Sequence, residues 1–388
     1  MLRVLHSVSN MDRAGIETML MNYYRKMDRT RIQFDFLANK PKPGDYDGEI
    51  RSMGGRVFVS PGLRPDQFPA YVRFFGRLLA DNPDIGILHA HNEGMAEYPL
   101  AAARAAGLPV RIAHAHSTRI NRDWKWPWKV FCKAFIPRTA THFFACGRDA
   151  GVYYFGRRRW EREGVLVPNA VDLGKFAFSP SARRAVRERF GVAGRFVVGH
   201  VGRFTPEKNH LRLLRIFARL SRSKPEAVLW LAGDGELLSR ARDEAGRLGI
   251  AGAVRFWGLR DDVADLCQAM DAFVMPSLYE GLPVVGVEAQ AAGLPCLFST
   301  GVPSEACILP GARRLPLSAA DDEWARAIAA FDVPRPERAG ALRAVRAAGY
   351  DLDDAARKLS DFYLRVSGAG EAGRRGTGGV PGPGSSLK

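Results

Sequence analysis

The same local grammar opens both halves of the chain. LRVLHSV reads as a short buried strand, SNMDRAG as a polar loop, and IETMLMNYYRKM as a helix in which Ile16, Met19, Leu20 and Tyr23 recur at helical spacing. In the second half RFVVGHVG is again a strand, RFTPEKN a loop, and HLRLLRIFARL a helix with Leu211, Leu214, Ile216 and Leu220 on its apolar side. The strands AVLWLAG and AVRFWG follow, ending in the turns GDGE and LRDD. Strand, loop and helix in this order begin a Rossmann-like unit. Two such starts so far apart predict an α/β protein of two domains in series, not one long sheet.

The 388 residues suit that division. VLVPNAVDLGKFAFSPS is rich in Pro, Gly and Asn, lacks a helical period, and puts the boundary near residues 170–180. The expected units are an N-terminal Rossmann-like domain, 1–176, and a C-terminal one, 177–348. Three helix-like segments, DDEWARAIAAF, ERAGALRAVRAAG and DLDDAARKLSDFYLRV, come last, and 349–366 is expected to return to the N-terminal domain. Residues 367–388 are Gly-, Pro- and Ser-rich with almost no large apolar groups, the composition of a disordered tail.

Lys and Arg number 57 against 41 Asp and Glu, a net charge of +16. That excess asks for an anionic partner: nucleic acid, anionic lipid or a phosphorylated ligand. Five scattered cysteines without a Cys-x-x-Cys pair form neither a disulfide framework nor a zinc site, and suit a reducing cytosol. MLRVLHSVSN lacks the long apolar region and cleavage site of a signal peptide. No stretch approaches the ~18 apolar residues of a membrane span, so any membrane contact is expected to be peripheral.

The chemistry concentrates in MPSLYEGLPVVGVEAQAAGLPCL. A strand ends in a loop carrying Glu280 and Gly281, Pro283 suits a helix start, and Gly293 with Pro295 stops that helix. A helix N-terminus just after Glu280 presents free N–H groups and a positive dipole, a site for phosphate. Glu288, among Val, Ala and Gly neighbours, needs a partner, either a nearby Arg or ligand hydroxyls. Arg203 and Lys208 in VGRFTPEKN occupy a loop after a strand, where α/β folds bind ligands. Two cations, a helix N-terminus and two carboxylates suit a nucleoside-diphosphate sugar, whose diphosphate is anionic and whose hydroxyls are donors.

Over residues 1–366 the chain resembles the retaining glycosyltransferases of the two-Rossmann GT-B fold, particularly bacterial members that build exopolysaccharide and capsule. The resemblance rests on the Glu–seven residues–Glu motif from Glu280 to Glu288, on VGRFTPEKN, on GDGE and on VPNAVDLGKF. It implies that Arg203 and Lys208 bind the donor diphosphate and stabilise the leaving group. Glu280 would contact donor-sugar hydroxyls with the backbone of Gly281, Leu282 and Pro283, and Glu288 would hold the ribose. The family's paired glycines before the first helix, followed closely by a glutamate, appear here as R-A-G-I-E, with Ala14 in place of the first glycine and Gly15 retained for close approach to the diphosphate. His116 in RIAHAHSTR matches the histidine the family places near the reacting sugar, with His114 a competitor on the same side of the strand. Base contacts are expected near Leu259 and Arg260.

Other histidines and one acidic pair call for separate readings. His89 and His91 in ILHAHNEG lie at the end of another strand, as candidates for the acceptor cleft. His-x-His pairs also raise a metal site, but no carboxylate or cysteine cluster accompanies them, so no metal is assigned. Asp45-Tyr46-Asp47 has the form of a metal motif but sits in a polar Pro/Gly-rich loop, and reads as a solvated turn.

The resemblance thus implies a retaining, metal-independent transfer from a UDP- or GDP-sugar to a glycan or lipid-linked acceptor. A catalytically silent scaffold subunit and a nucleotide-sugar epimerase share the architecture and stay as alternatives. Nucleic-acid binding lacks any supporting motif.

Residues 1–178 carry 27 Lys and Arg against 17 Asp and Glu, or +10, and residues 179–388 carry 30 against 24, or +6. The excess is densest in TRINRDWKWPWKVFCKAFIPR, where Arg119, Arg122, Lys125, Lys129, Lys133 and Arg138 alternate with Trp124, Trp126, Trp128, Phe131 and Phe135. Such a mixture fits the headgroup region of an anionic membrane, and equally tryptophans packed on a core beneath a solvated basic face. The first reading places the protein on the inner face of the cytoplasmic membrane.

Overall fold

The structure, a computed structural model, describes residues 1–120, 123–331 and 338–368. Arg122 and all but the first two residues of the expected tail lie outside the described residues. Thirteen strands form two sheets among the described residues. The first contains β1 (Leu2–Val8), β2 (Ile32–Ala38), β3 (Val57–Val59), β4 (Ile85–Ala90), β5 (Val110–Ala115), β6 (His142–Ala145) and β7 (Gly164–Leu166), in the order β3-β2-β1-β4-β5-β6-β7. The second contains β8 (Phe196–Val201), β9 (Ala227–Ala232), β10 (Val254–Gly258), β11 (Ala272–Met275), β12 (Cys296–Ser299) and β13 (Ala312–Leu315), in the order β10-β9-β8-β11-β12-β13. Every pairing is parallel. The predicted pair of Rossmann-like α/β units is what forms.

Parallel strands covered by helices on both faces must be apolar almost throughout. IQFDFLA in β2 is buried at every position, and its one charge, Asp35, is held by Arg3 and Arg56 at 2.6 Å each. In both sheets the strand order reverses beside the first strand, between β1 and β4 and between β8 and β11. Loops diverge at that point and leave a crevice at the carboxyl ends of the strands. The loops that carry Gly15, His116, Arg203 and Glu280 all leave such ends.

The last helix, Leu352–Val366, lies against the Gly15–Lys26 helix, and its Leu359, Phe362 and Tyr363 join the core of the first sheet with Val4, Phe34 and Phe144. A parallel bridge between Val171 and Asp351 ties the interdomain segment to the start of that helix. Among the described residues no helix is long and apolar enough to cross a membrane.

Candidate active site

The two sheets' carboxyl edges enclose one cleft of about 430 Å³. Every residue singled out for the donor lines it: Gly15 and His116 from the first unit, Arg203, Lys208, Glu280, Gly281, Leu282, Pro283 and Glu288 from the second. Leu259 and Arg260 line it as well, with Arg260 ion-paired to Asp262.

On the C-terminal side Lys208 ends a 3-10 turn, Pro206–Lys208, and its Nζ donates to Glu280 Oε1 at 2.6 Å. Leu278 N–H donates to the Glu207 carbonyl at 2.7 Å, so the two loops are joined through backbone as well as through charge. Asn209, in left-handed backbone with φ 59°, closes the turn and donates its side-chain amide to the Pro276 carbonyl. The Arg203 guanidinium is exposed to the cleft and has no acidic partner among the described residues. Gly233 and Gly235 of GDGE both have positive φ, and a Cβ at Gly233 would stand 2.1 Å from the Gly202 carbonyl oxygen. Glycine there lets the turn lie directly against the loop that carries Arg203.

Pro283 is the N-cap of the Val284–Ala291 helix, which begins one residue after it. The N–H groups of Val284 and Val285 belong to its first turn and lack intrahelical acceptors, and both residues line the cleft. The Glu288 carboxylate makes no ion pair or hydrogen bond with any described residue, so no described arginine neutralises it. Burial pushes its carboxyl up to about 7, against a weaker pull from Lys175. A cleft-facing carboxylate without a protein donor is suited to ligand hydroxyls.

Gly281 has a role beyond ligand approach. A Cβ there would stand 2.2 Å from the His116 carbonyl oxygen, so this glycine lets the two halves of the cleft touch. Asn169 Nδ2 also crosses the junction, donating to the Leu282 carbonyl at 2.7 Å.

On the N-terminal side the Gly15 loop is braced by the acidic pair read above as a solvated turn; that reading holds for Asp45, exposed in a turn, and is corrected for Tyr46 and Asp47, which are buried. Asp45 Oδ2 accepts the Arg13 N–H at 2.9 Å, Tyr46 is buried with its hydroxyl 3.0 Å from Thr18 Oγ1, and Asp47 is buried at the start of a helix. The stretch is a buttress for the glycine loop, because Gly44 packs on the Met11 backbone where a Cβ would be 2.7 Å away. Of the two competing histidines, His116 lines the cleft, whereas His114 is buried behind it. His89 and His91 do not line the cleft either; both are buried against the other imidazoles.

Two carboxylates, neither among the residues that line the cleft, were not singled out from the sequence. Glu17, in the first turn of the Gly15–Lys26 helix, is buried and its carboxyl is pushed up to about 7 by desolvation, with Asp12 adding to the shift and Arg203 opposing it. Glu93 has a left-handed backbone, φ 51°, and burial raises its carboxyl as well. A non-glycine residue held there is uncommon and costs energy. The glutamate of R-A-G-I-E was visible as a motif letter; the strain at Glu93 leaves no trace in sequence.

The basic, aromatic segment forms the Trp126–Thr139 helix and the turn before it. It divides between the two readings. Trp128 turns inward and donates Nε1–H to Tyr98 Oη at 2.9 Å. Trp124 is 81% exposed, Phe131 52% and Phe135 41%, with Lys125 over the Trp124 ring and Lys133 over that of Tyr153.

Comparison with known proteins agrees with the geometry. The family Glycosyl transferases group 1 matches residues 183–329, and Glycosyltransferase Family 4 matches residues 13–175. EpsF of Bacillus subtilis (strain 168), named as a glycosyltransferase, is 40% identical over 368 residues, covering 93% of this chain and 96% of EpsF. The UDP-Gal:alpha-D-GlcNAc-diphosphoundecaprenol alpha-1,3-galactosyltransferase of Escherichia coli is 27% identical over 221 residues, 55% of this chain and 57% of that protein. Among solved structures, Anabaena HepE in complex with UDP superposes with a TM-score of 0.77 at 19% identity, covering 94% of this chain and all of HepE. With two domain families matched in order and one relative aligned along nearly its whole length, the chain belongs to the group 1 glycosyltransferases of the GT-B fold.

Proposed function

We propose that the protein is a retaining, metal-independent glycosyltransferase that moves a sugar from a UDP- or GDP-sugar to a hydroxyl of a growing, lipid-linked glycan in exopolysaccharide or capsule synthesis. The observation that carries this reading is the convergence of the unpaired Arg203, the Lys208–Glu280 pair and the unpaired Glu288 on one interdomain cleft. Arg203 and Lys208 meet the diphosphate with the N–H groups of Val284 and Val285, so charge is neutralised by side chains and a helix dipole without a metal. Glu280 takes sugar hydroxyls and Glu288 the ribose. In same-face substitution the bond from the anomeric carbon to the phosphate oxygen breaks while the acceptor oxygen bonds to that carbon on the same side. The acceptor proton passes to the departing phosphate oxygen. The protein contributes positioning and electrostatic stabilisation of the leaving group.

The acceptor assignment draws on the diphosphoundecaprenol in the name of the Escherichia coli relative. It also draws on the exposed Trp124, Phe131 and Phe135 beside Lys125 and Lys133, a surface suited to an anionic leaflet. We therefore place the enzyme peripherally on the inner face of the cytoplasmic membrane. Nucleotide release from UDP-, GDP- and ADP-sugars, with and without undecaprenyl-linked acceptors, tests the reading. Release from a UDP- or GDP-sugar supports it; absence of any nucleotide binding favours a silent scaffold.

A further inference from the structure

Five of the chain's eight histidines are packed together, four behind the cleft and one at its wall: His6 on β1, His89 on β4, His91 just after it, His114 on β5 and, lining the cleft, His116 just after that strand. All are buried, and burial lowers every one of them, His6 and His116 to about 3. At neutral pH each ring therefore has one N–H and one lone pair.

Three of these rings form a single file from the core to the cleft. His6 Nδ1 is 3.0 Å from His91 Nε2, and His91 Nδ1 is 2.9 Å from His116 Nε2. Only two proton arrangements satisfy both bonds with neutral rings. In one, every ring is protonated on Nδ1; in the other, every ring is protonated on Nε2. His6 Nε2 decides between them, because it is buried without a partner. The second arrangement strands an N–H donor there, whereas the first leaves only a lone pair, and orphaned buried N–H groups are the rarer defect.

We infer that His91, backed by His6, is a positioning residue that locks His116 as its Nδ1–H tautomer. His116 Nε2 is engaged by His91, and Nδ1 has no partner among the described residues. The ring then presents to the cleft a fixed hydrogen-bond donor, suited to a donor-sugar hydroxyl or phosphate oxygen, and no base. This rests on the placement of the donor in the cleft given above. The other two imidazoles lead elsewhere: Tyr363 Oη meets His89 Nδ1 at 2.6 Å, His89 Nε2 meets His114 Nδ1 at 3.1 Å, and the file ends at the unpartnered His114 Nε2.

The same rings bring ligand nitrogens of His6, His89 and His91, and of His91, His114 and His116, within 4.8 Å of one another. A metal is the less favoured occupant. Neither group of ligands includes a carboxylate to offset a dication.

The experiment reads the tautomer directly, by long-range ¹H–¹⁵N correlation on histidine-labelled protein, with the His116 signals assigned by their loss in His116→Gln. The expected result is Nδ1–H at His116 in the unliganded wild type. His91→Asn, whose amide can donate in place of Nδ1, keeps it, and His91→Phe moves the proton toward Nε2. In turnover, His91→Phe lowers kcat about 10- to 100-fold, the range for removing such an outer partner, with donor affinity changed less than about twofold, and His91→Asn recovers most of the rate. Nε2–H at wild-type His116, a tautomer indifferent to His91→Phe, or one equivalent of added zinc retained by wild type and lost in His91→Phe would each overturn the inference. Should His91→Phe not fold, the wild-type tautomer and His91→Asn decide. The tautomer needs no turnover, so a protein inactive with every donor would refute the transferase reading without touching this one.

Discussion

The two walls of the cleft are built from opposite materials. The C-terminal wall is charged and partly unsatisfied: among the described residues the Arg203 and Glu288 side chains lack protein partners, those of Lys208 and Glu280 have only each other, and a helix begins among them. The N-terminal wall carries one cation, Arg13, ion-paired to Asp261 of the other unit, and is otherwise neutral and internally connected: a braced glycine loop and an imidazole whose Nε2 is held from behind. Yet the N-terminal part of the chain is the more basic, +10 against +6. Net charge therefore does not mark the site. Groups left without partners at the cleft do, and the basic excess of the other half is on its outer surface, around Lys125 and Lys133.

That contrast is open to breakage at graded points. Lys208→Ala removes the cation proposed to meet the leaving group and leaves the Glu280 carboxylate unpaired; kcat is expected to fall about 10²- to 10³-fold, as for other lost transition-state donors, in a nucleotide-release assay. Gly281→Ala tests the seam between the walls. With only 2.2 Å to the His116 carbonyl the two halves must separate, and a displacement of about 1 Å is expected to cost up to about 10²-fold in transfer. A small-angle scattering profile altered in parallel would tie that loss to domain placement.

Glu288 gives a pH test. Its carboxyl ionises near 7 in the free protein, and only the ionised form accepts from two hydroxyls. Donor affinity should strengthen as pH rises through 6 to 7 and level off above, by titration calorimetry, while Glu288→Gln weakens binding and flattens the profile. The stability sign is opposite. The folded carboxyl holds its proton to higher pH than the unfolded one, so stability falls as pH rises from about 4.5 to 7. Thermal unfolding should show less of that loss in Glu288→Gln, with Glu17 sustaining the remainder. The smallest effect belongs to the outer surface: Lys125→Gln is expected to lower partitioning onto phosphatidylglycerol vesicles about fivefold, from about 1 kcal/mol per basic residue, leaving turnover with a water-soluble acceptor unchanged.

Much of the fold could be read from local pattern, because parallel strands and amphipathic helices carry their periods within a dozen residues. The C-terminal wall was legible for the same reason: Glu280 and Glu288 are eight positions apart on one loop and helix. The N-terminal wall was not. His6 and His91 are 85 residues apart, and their contact depends on the β1–β4 register, which pairs His6 with His89. A one-residue slip would turn the ring away. Tyr46 and Asp47 were misread because a polar composition looks solvated until the Gly15 loop folds onto it. The tryptophans could not be sorted in advance, since which ring faces inward, Trp128 on the helix or Trp124 in the turn before it, depends on how the helix sits on the domain.

The central claim is that Arg203 acts on the leaving diphosphate from the C-terminal wall. Single-turnover nucleotide release at saturating UDP- or GDP-sugar, compared between wild type and Arg203→Ala, tests it most directly. The account predicts that the variant binds donor with affinity reduced by no more than about tenfold while the release step slows about 10²-fold or more. An unchanged rate of release in Arg203→Ala would contradict it.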